Sequence, residues 1–129
     1  APTHTFGRTT NNRLLSEVFP ANEIWINRTA AASLPEFADL ALKSGDRVML
    51  VNQDDVREGP IRVRVTERIR GDCVYMVHGW GHKSKGLRYA RGRGASSSEL
   101  VSRYETDPIM GGTGMNVNFV RLEPAEERA

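Results

Sequence analysis

Apolar and polar positions alternate most cleanly at Ile61, Val63 and Val65, with Arg62, Arg64 and Thr66 between them. A period of two marks a strand with one buried face and one wet face, and here the wet face is cationic. Residues 47–51 and 73–77 are rich in β-formers and predict two more strands, the second of them buried. Residues 23–26 predict a short strand and residues 115–122 a last one. Helical signals are brief. Residues 14–19 predict a short helical or irregular link ended by Pro20. Asn27 is a candidate N-cap for a helix over 29–34. Pro35 interrupts, and residues 36–42 add another turn or two. Ser44-Gly-Asp46 and Arg70-Gly-Asp72 are turn chemistry, and 53–59 is polar and turn-like. His4-Thr-Phe begins extended and breaks at Gly7. With no βαβ repeat and five to six short strands, a small, mainly β barrel with helical insertions fits the pattern.

The 129 residues fit one domain over 1–129, long enough to bury a core without metals or disulfides. Net charge is only +2, so bulk charge does not argue for nucleic acid; its distribution is more telling. Between Gly81 and Gly94 stand Lys83, Lys85, Arg88, Arg91 and Arg93 with no acid. Residues 124–129 read as a frayed acidic tail. One cysteine, Cys73, excludes an internal disulfide. No apolar run is long enough to span a membrane, and no signal peptide is visible. The chain begins Ala1-Pro-Thr-His without an initiator Met, which fits a processed protein or a piece of a longer one.

Val74-Tyr-Met-Val-His-Gly-Trp-Gly-His82 carries the candidate chemistry. An apolar run ends abruptly in His78 and in Trp80 flanked by Gly79 and Gly81, where a backbone without Cβ can approach a ligand closely. Residues 79–112 form a loop rich in Gly, Ser and Arg, and such length inside a compact domain signals function or disorder. Cys73, His78 and His82 invite a zinc reading. Cys73 and His78 have opposite parity on a strand and no fourth ligand has suitable spacing, so no metal site is expected.

Four pieces in order carry a family resemblance. They are Thr5-Phe-Gly-Arg-Thr-Thr-Asn-Asn12, then Ile24-Trp-Ile-Asn-Arg-Thr-Ala-Ala31 with Ser44-Gly-Asp-Arg-Val48, then the His78–His82 segment, then Asp107-Pro-Ile-Met-Gly-Gly-Thr-Gly-Met-Asn-Val-Asn118. Together they resemble the molybdopterin-dinucleotide-binding C-terminal domain of the dimethyl-sulfoxide-reductase superfamily. The greatest likeness is to polysulfide, thiosulfate or tetrathionate reductase catalytic subunits. The resemblance implies a six-stranded double-psi β-barrel that binds a bis(molybdopterin guanine dinucleotide) in a larger catalytic subunit. It assigns cofactor contacts to Gly7, Arg8, Thr9, Thr10, Asn11 and Asn12, to His78, Gly79, Trp80, Gly81 and His82, and to Asn116. It implies molybdenum or tungsten held by another domain, an iron–sulfur subunit and a membrane-anchor subunit as partners, and a periplasmic enzyme of anaerobic respiration. With one cysteine the chain itself can hold no iron–sulfur cluster and is expected to be inactive alone.

The residue chemistry agrees. Asn, Thr and backbone amides match the donor and acceptor rim of a pterin, Arg8 suits a phosphate or a carbonyl edge, and Trp80 suits stacking on a flat ring. Two other readings stay open here. The basic loop 83–93 could serve a nucleic-acid-binding barrel, with Trp80 and Tyr89 for stacking. Alternatively, the domain could be an assembly module that packs against partner subunits.

Overall fold

A computed structural model of the chain describes residues 8–34, 42–103, 105–114 and 118–125. The elements run α1 (Arg13–Val18), β1 (Glu23–Ile26), α2 (Arg28–Ser33), β2 (Arg47–Asn52), β3 (Arg57–Val65), β4 (Val74–Met76) and β5 (Val120–Pro124). The strands form one curled sheet in the order β4-β1-β3-β2-β5. β1 and β3 are parallel, and the other neighbours are antiparallel. The mainly β class expected from the sequence stands. The closed six-stranded barrel does not appear among the described residues, where the sheet has five strands and the extended start at His4 lies outside them.

The inner face follows the sequence alternation. Ile24, Ile26, Val48, Leu50, Ile61, Val63 and Leu122 are each at most 3% exposed, while Arg62 and Arg64 face outward. Burial of each such side chain is worth about 1.5–3 kcal/mol. Asn27 caps α2 by accepting from Thr29 N at 2.9 Å, and the helix starts at Arg28. Asn12 caps α1 by accepting from Leu15 N at 3.2 Å.

Three sequence expectations need correction. β3 begins at Arg57, inside the stretch read as a turn. Val48 pairs with Ile61 and Leu50 with Glu58, so Gly59 and Pro60 together oppose Met49. A bulge is where a strand tolerates proline, because the missing N–H is not needed there. β4 is a short edge strand rather than a buried one; Cys73 is exposed and Tyr75 is 47% exposed. The apolar run misleads because Tyr75 covers Trp25 on the outer face, with ring centroids 5.2 Å apart. β5 starts at Val120, later than expected, and continues through Pro124, the first residue of the stretch read as a tail. The helical turns expected over 36–42 lie outside the described residues except for Leu42, which joins the core.

The long loop is not loose. Ala95 and Leu100 lie in the main core cluster.

Candidate functional site

Polar segments distant in sequence are joined by one side chain–side chain bond and by side chain–backbone bonds. Thr10, fully buried, shares a hydrogen bond of 3.2 Å between its Oγ1 and His82 Nε2. Asn11 Oδ1 accepts from the N–H groups of Tyr89 at 2.8 Å and Ala90 at 3.1 Å. That leaves its Nδ2 amide without a partner among the described residues. The turn that precedes α1 therefore meets both the glycine turn and the basic loop.

The basic loop has a closed neck. Gly81 N–H donates to Arg93 O at 3.1 Å, and Gly92 N–H to His82 O at 2.9 Å. Gly81 sits at φ +81°, and a Cβ there would lie 2.4 Å from Ser96 N, so only glycine fits. The loop's five cations are all exposed and make no ion pair with a described residue.

Behind the turn, a buried asparagine sets the spacing. Asn22, 1% exposed, donates from Nδ2 to Val77 O at 2.8 Å and Ala95 O at 3.0 Å, and its Oδ1 accepts from Ala95 N at 2.9 Å. It ties the end of β4, just before His78, to the far side of the basic loop. Asn52 does the same further along, donating to Leu100 O at 2.7 Å and accepting from Asp54 N and Val56 N, both at 2.9 Å. Glu58 Oε1 accepts from Ser96 N at 3.1 Å. The sequence reading missed all three. Their only signal is position: an asparagine just before a strand, and another opening an Asx turn at a strand's end.

Beside the neck lies a cleft of about 650 Å³ between Phe19, the start of β1, β3 and the turns at 81–83 and 92–94. Arg47, Arg62, Lys83 and Arg93 line it against Glu23 and Glu58. In the motif at Asp107, the carboxylate Oδ1 accepts from Ile109 N at 2.8 Å and Met110 N at 3.3 Å. Those two amides hold the Asp107 carboxyl below its usual range.

The family model of the molydopterin dinucleotide binding domain matches residues 2–119. The chain belongs to this family. No curated protein gives a significant match. The molybdopterin dinucleotide-binding domain is a cofactor-binding part of a molybdoenzyme, and its cofactor is of the molybdopterin dinucleotide type.

The donor set fits such a group. A pterin dinucleotide combines an amide-rich ring system with a pyrophosphate, and the domain sets Asn and Thr side chains beside a run of cations that have no ion pair among the described residues. Among the expected contacts, Arg8 and His78 are exposed, and Thr9, Asn11, Gly79, Gly81 and His82 are half-buried. Thr10 and Asn12 are already used, one bonded to His82 and the other capping α1. Trp80 is 3% exposed and packs edge-to-face on Phe19, centroids 5.6 Å apart, so its ring supports the turn. Gly7 and Asn116 lie outside the described residues; Asn118 donates to Leu100 O at 2.9 Å. Among the described residues no three His, Cys, Asp or Glu side chains gather as metal ligands.

Proposed function

We propose that the domain binds and orients a bis(molybdopterin guanine dinucleotide) within a molybdenum oxidoreductase of the polysulfide or thiosulfate reductase type. The supporting observation is the joining of segments 8–12, 78–82 and 83–93 through Thr10, His82, Asn11, Tyr89 and Ala90. When bound, the cofactor supplies the metal centre that exchanges electrons, and the protein supplies orientation and electrostatics. Arg8 offers a planar guanidinium for a phosphate or a carbonyl edge. Asn11 Nδ2 and His78 offer hydrogen bonds to the heterocycle, and Lys83, Arg88 and Arg91 offset phosphate charge. Gly81 and the Thr10–His82 bond hold the turn in place.

The metal, molybdenum or tungsten, is held by a ligand from another domain of the catalytic subunit. An iron–sulfur subunit, a membrane-anchor subunit and a periplasmic location belong to the same proposal and rest on the resemblance alone. The nucleic-acid alternative loses its stacking platform. Trp80 is buried, and Tyr89 is half-buried with Arg88 set over its ring at 5.9 Å.

The test is cofactor content of the whole enzyme, read as pterin fluorescence after oxidation and as GMP released by acid. Arg8→Ala combined with His78→Ala touches exposed side chains and should leave folding within about 0.5 kcal/mol. The expected result is a folded enzyme with substoichiometric pterin and GMP. Full occupancy in that double variant would overturn the assignment.

A further inference from the structure

The sheet's outer face has a charge pattern that cofactor binding does not use. Strand register places Glu23, Arg62 and Arg47 in one row across β1, β3 and β2. The next row holds Tyr75, Trp25 and Arg64 across β4, β1 and β3. Arg64 lies 4.8 Å from the Trp25 ring centroid, and Tyr75 meets Trp25 edge-to-face. Residues two apart on a strand share a face, so the rows are contiguous. The first row forms one wall of the cleft, so the cationic surface runs from the sheet into it.

Six arginines of the described residues find carboxylates. Arg13, Arg28, Arg57, Arg70, Arg103 and Arg121 each pair with an acid. Arg47, Arg62 and Arg64 pair with none among the described residues, although Glu23 stands beside Arg62 in register. Arg47 and Arg62 sit directly opposite each other, an arrangement of like charges that destabilises a sheet unless an anion lies between them.

We propose that this face docks an acidic segment of a partner polypeptide. The unpaired arginines supply the charge complementarity. Arg, Trp and Tyr are the residues enriched where protein interfaces carry their binding energy. The two rows also extend beyond the cleft onto a pleated surface, which suits an extended chain better than a single small anion. Glutamate or aspartate side chains would pair with Arg47 and Arg62, and an apolar neighbour would cover Trp25 and Tyr75. The first row shares its cleft with His82 and Lys83, so the sheet-face and loop variants are what separate this proposal from the cofactor assignment.

The probe is a short fluorescein-labelled peptide of glutamate interspersed with phenylalanine, titrated by anisotropy against the chain at low salt. Inorganic pyrophosphate and a labelled single-stranded oligonucleotide serve as comparisons. The expected result is saturable binding that weakens about tenfold or more in Arg47→Glu plus Arg62→Glu. Trp25→Leu should weaken it severalfold, and Lys85→Glu plus Arg91→Glu on the loop should change it little. Circular dichroism of each variant confirms the fold. Three results would overturn the proposal: no binding, binding indifferent to the sheet-face variants, or tighter binding of pyrophosphate or the oligonucleotide lost only in the loop variant.

Discussion

Replacing Asn22 with alanine strips three backbone groups of their partners at once. Val77 O, Ala95 O and Ala95 N all bond to this one side chain, in a position 1% exposed. A buried group left unsatisfied costs about 1–3 kcal/mol, and carbonyls with a second lone pair fall at the low end. The sum for Asn22→Ala is then about 3–5 kcal/mol. For a domain of this size that lowers Tm by roughly 10–15 °C. Asn118→Ala is the internal control, since that side chain makes a single bond to Leu100 O and should cost about 1 kcal/mol. Urea denaturation gives both free energies, and hydrogen exchange at the Ala95 amide gives the local effect. Asn22→Ala should speed that exchange selectively. A loss below about 1 kcal/mol, no greater than in the control, would refute the reasoning that one asparagine sets the gap between the His78 turn and the basic loop.

The glycines separate conformation from contact. Gly81→Ala meets both a positive φ and Ser96 N at 2.4 Å and should cost about 2–4 kcal/mol. Gly92→Ala has positive φ but open space around it, and should cost only about 1–2 kcal/mol in the same denaturation series. Leu50→Ala empties a fully buried position under the bulge and should lose about 2–5 kcal/mol by calorimetry. Acid should also destabilise the domain through Glu123, whose carboxyl is held down by hydrogen bonds from Arg121 and Arg57, and through Asp107. A depressed folded pKa contributes stability that is full above the ordinary carboxylate range and is lost as pH falls through the folded value. Melting curves across acidic pH should therefore flatten in Glu123→Gln, and an unchanged profile would count against that pairing.

The strands that form the inner sheet were legible because burial on one face imposes a period of two, as Ile61, Val63 and Arg62, Arg64 show. The helix cap at Asn27 was legible because its side-chain oxygen satisfies a local amide. What failed was decided by tertiary neighbours. Residues 53–59 looked like a turn, but β3 begins at Arg57 and a bulge opposite Met49 accommodates Pro60. Trp80 packs on Phe19, distant in sequence, a contact its glycine-flanked position did not announce. The polar residues Thr10, Asn11 and His82, which the fold joins to distant segments, were named from their order along the chain. Their division of labour was not, because whether Asn11 or Asn12 spends its oxygen on Tyr89 or on Leu15 depends on which segment packs alongside. Asn22 gave no sign of its role, since a buried asparagine is recognisable only once its three partners converge.

Amide chemical-shift mapping of the isotopically labelled chain, with the released molybdopterin dinucleotide cofactor added, tests most directly whether separated segments form one cofactor-holding surface. The expected result is that the largest perturbations fall together on residues 8–12, 78–82 and 83–93, with the β2–β5 side of the sheet unmoved. Perturbations confined to β2 and β5, with those three segments silent, would contradict it.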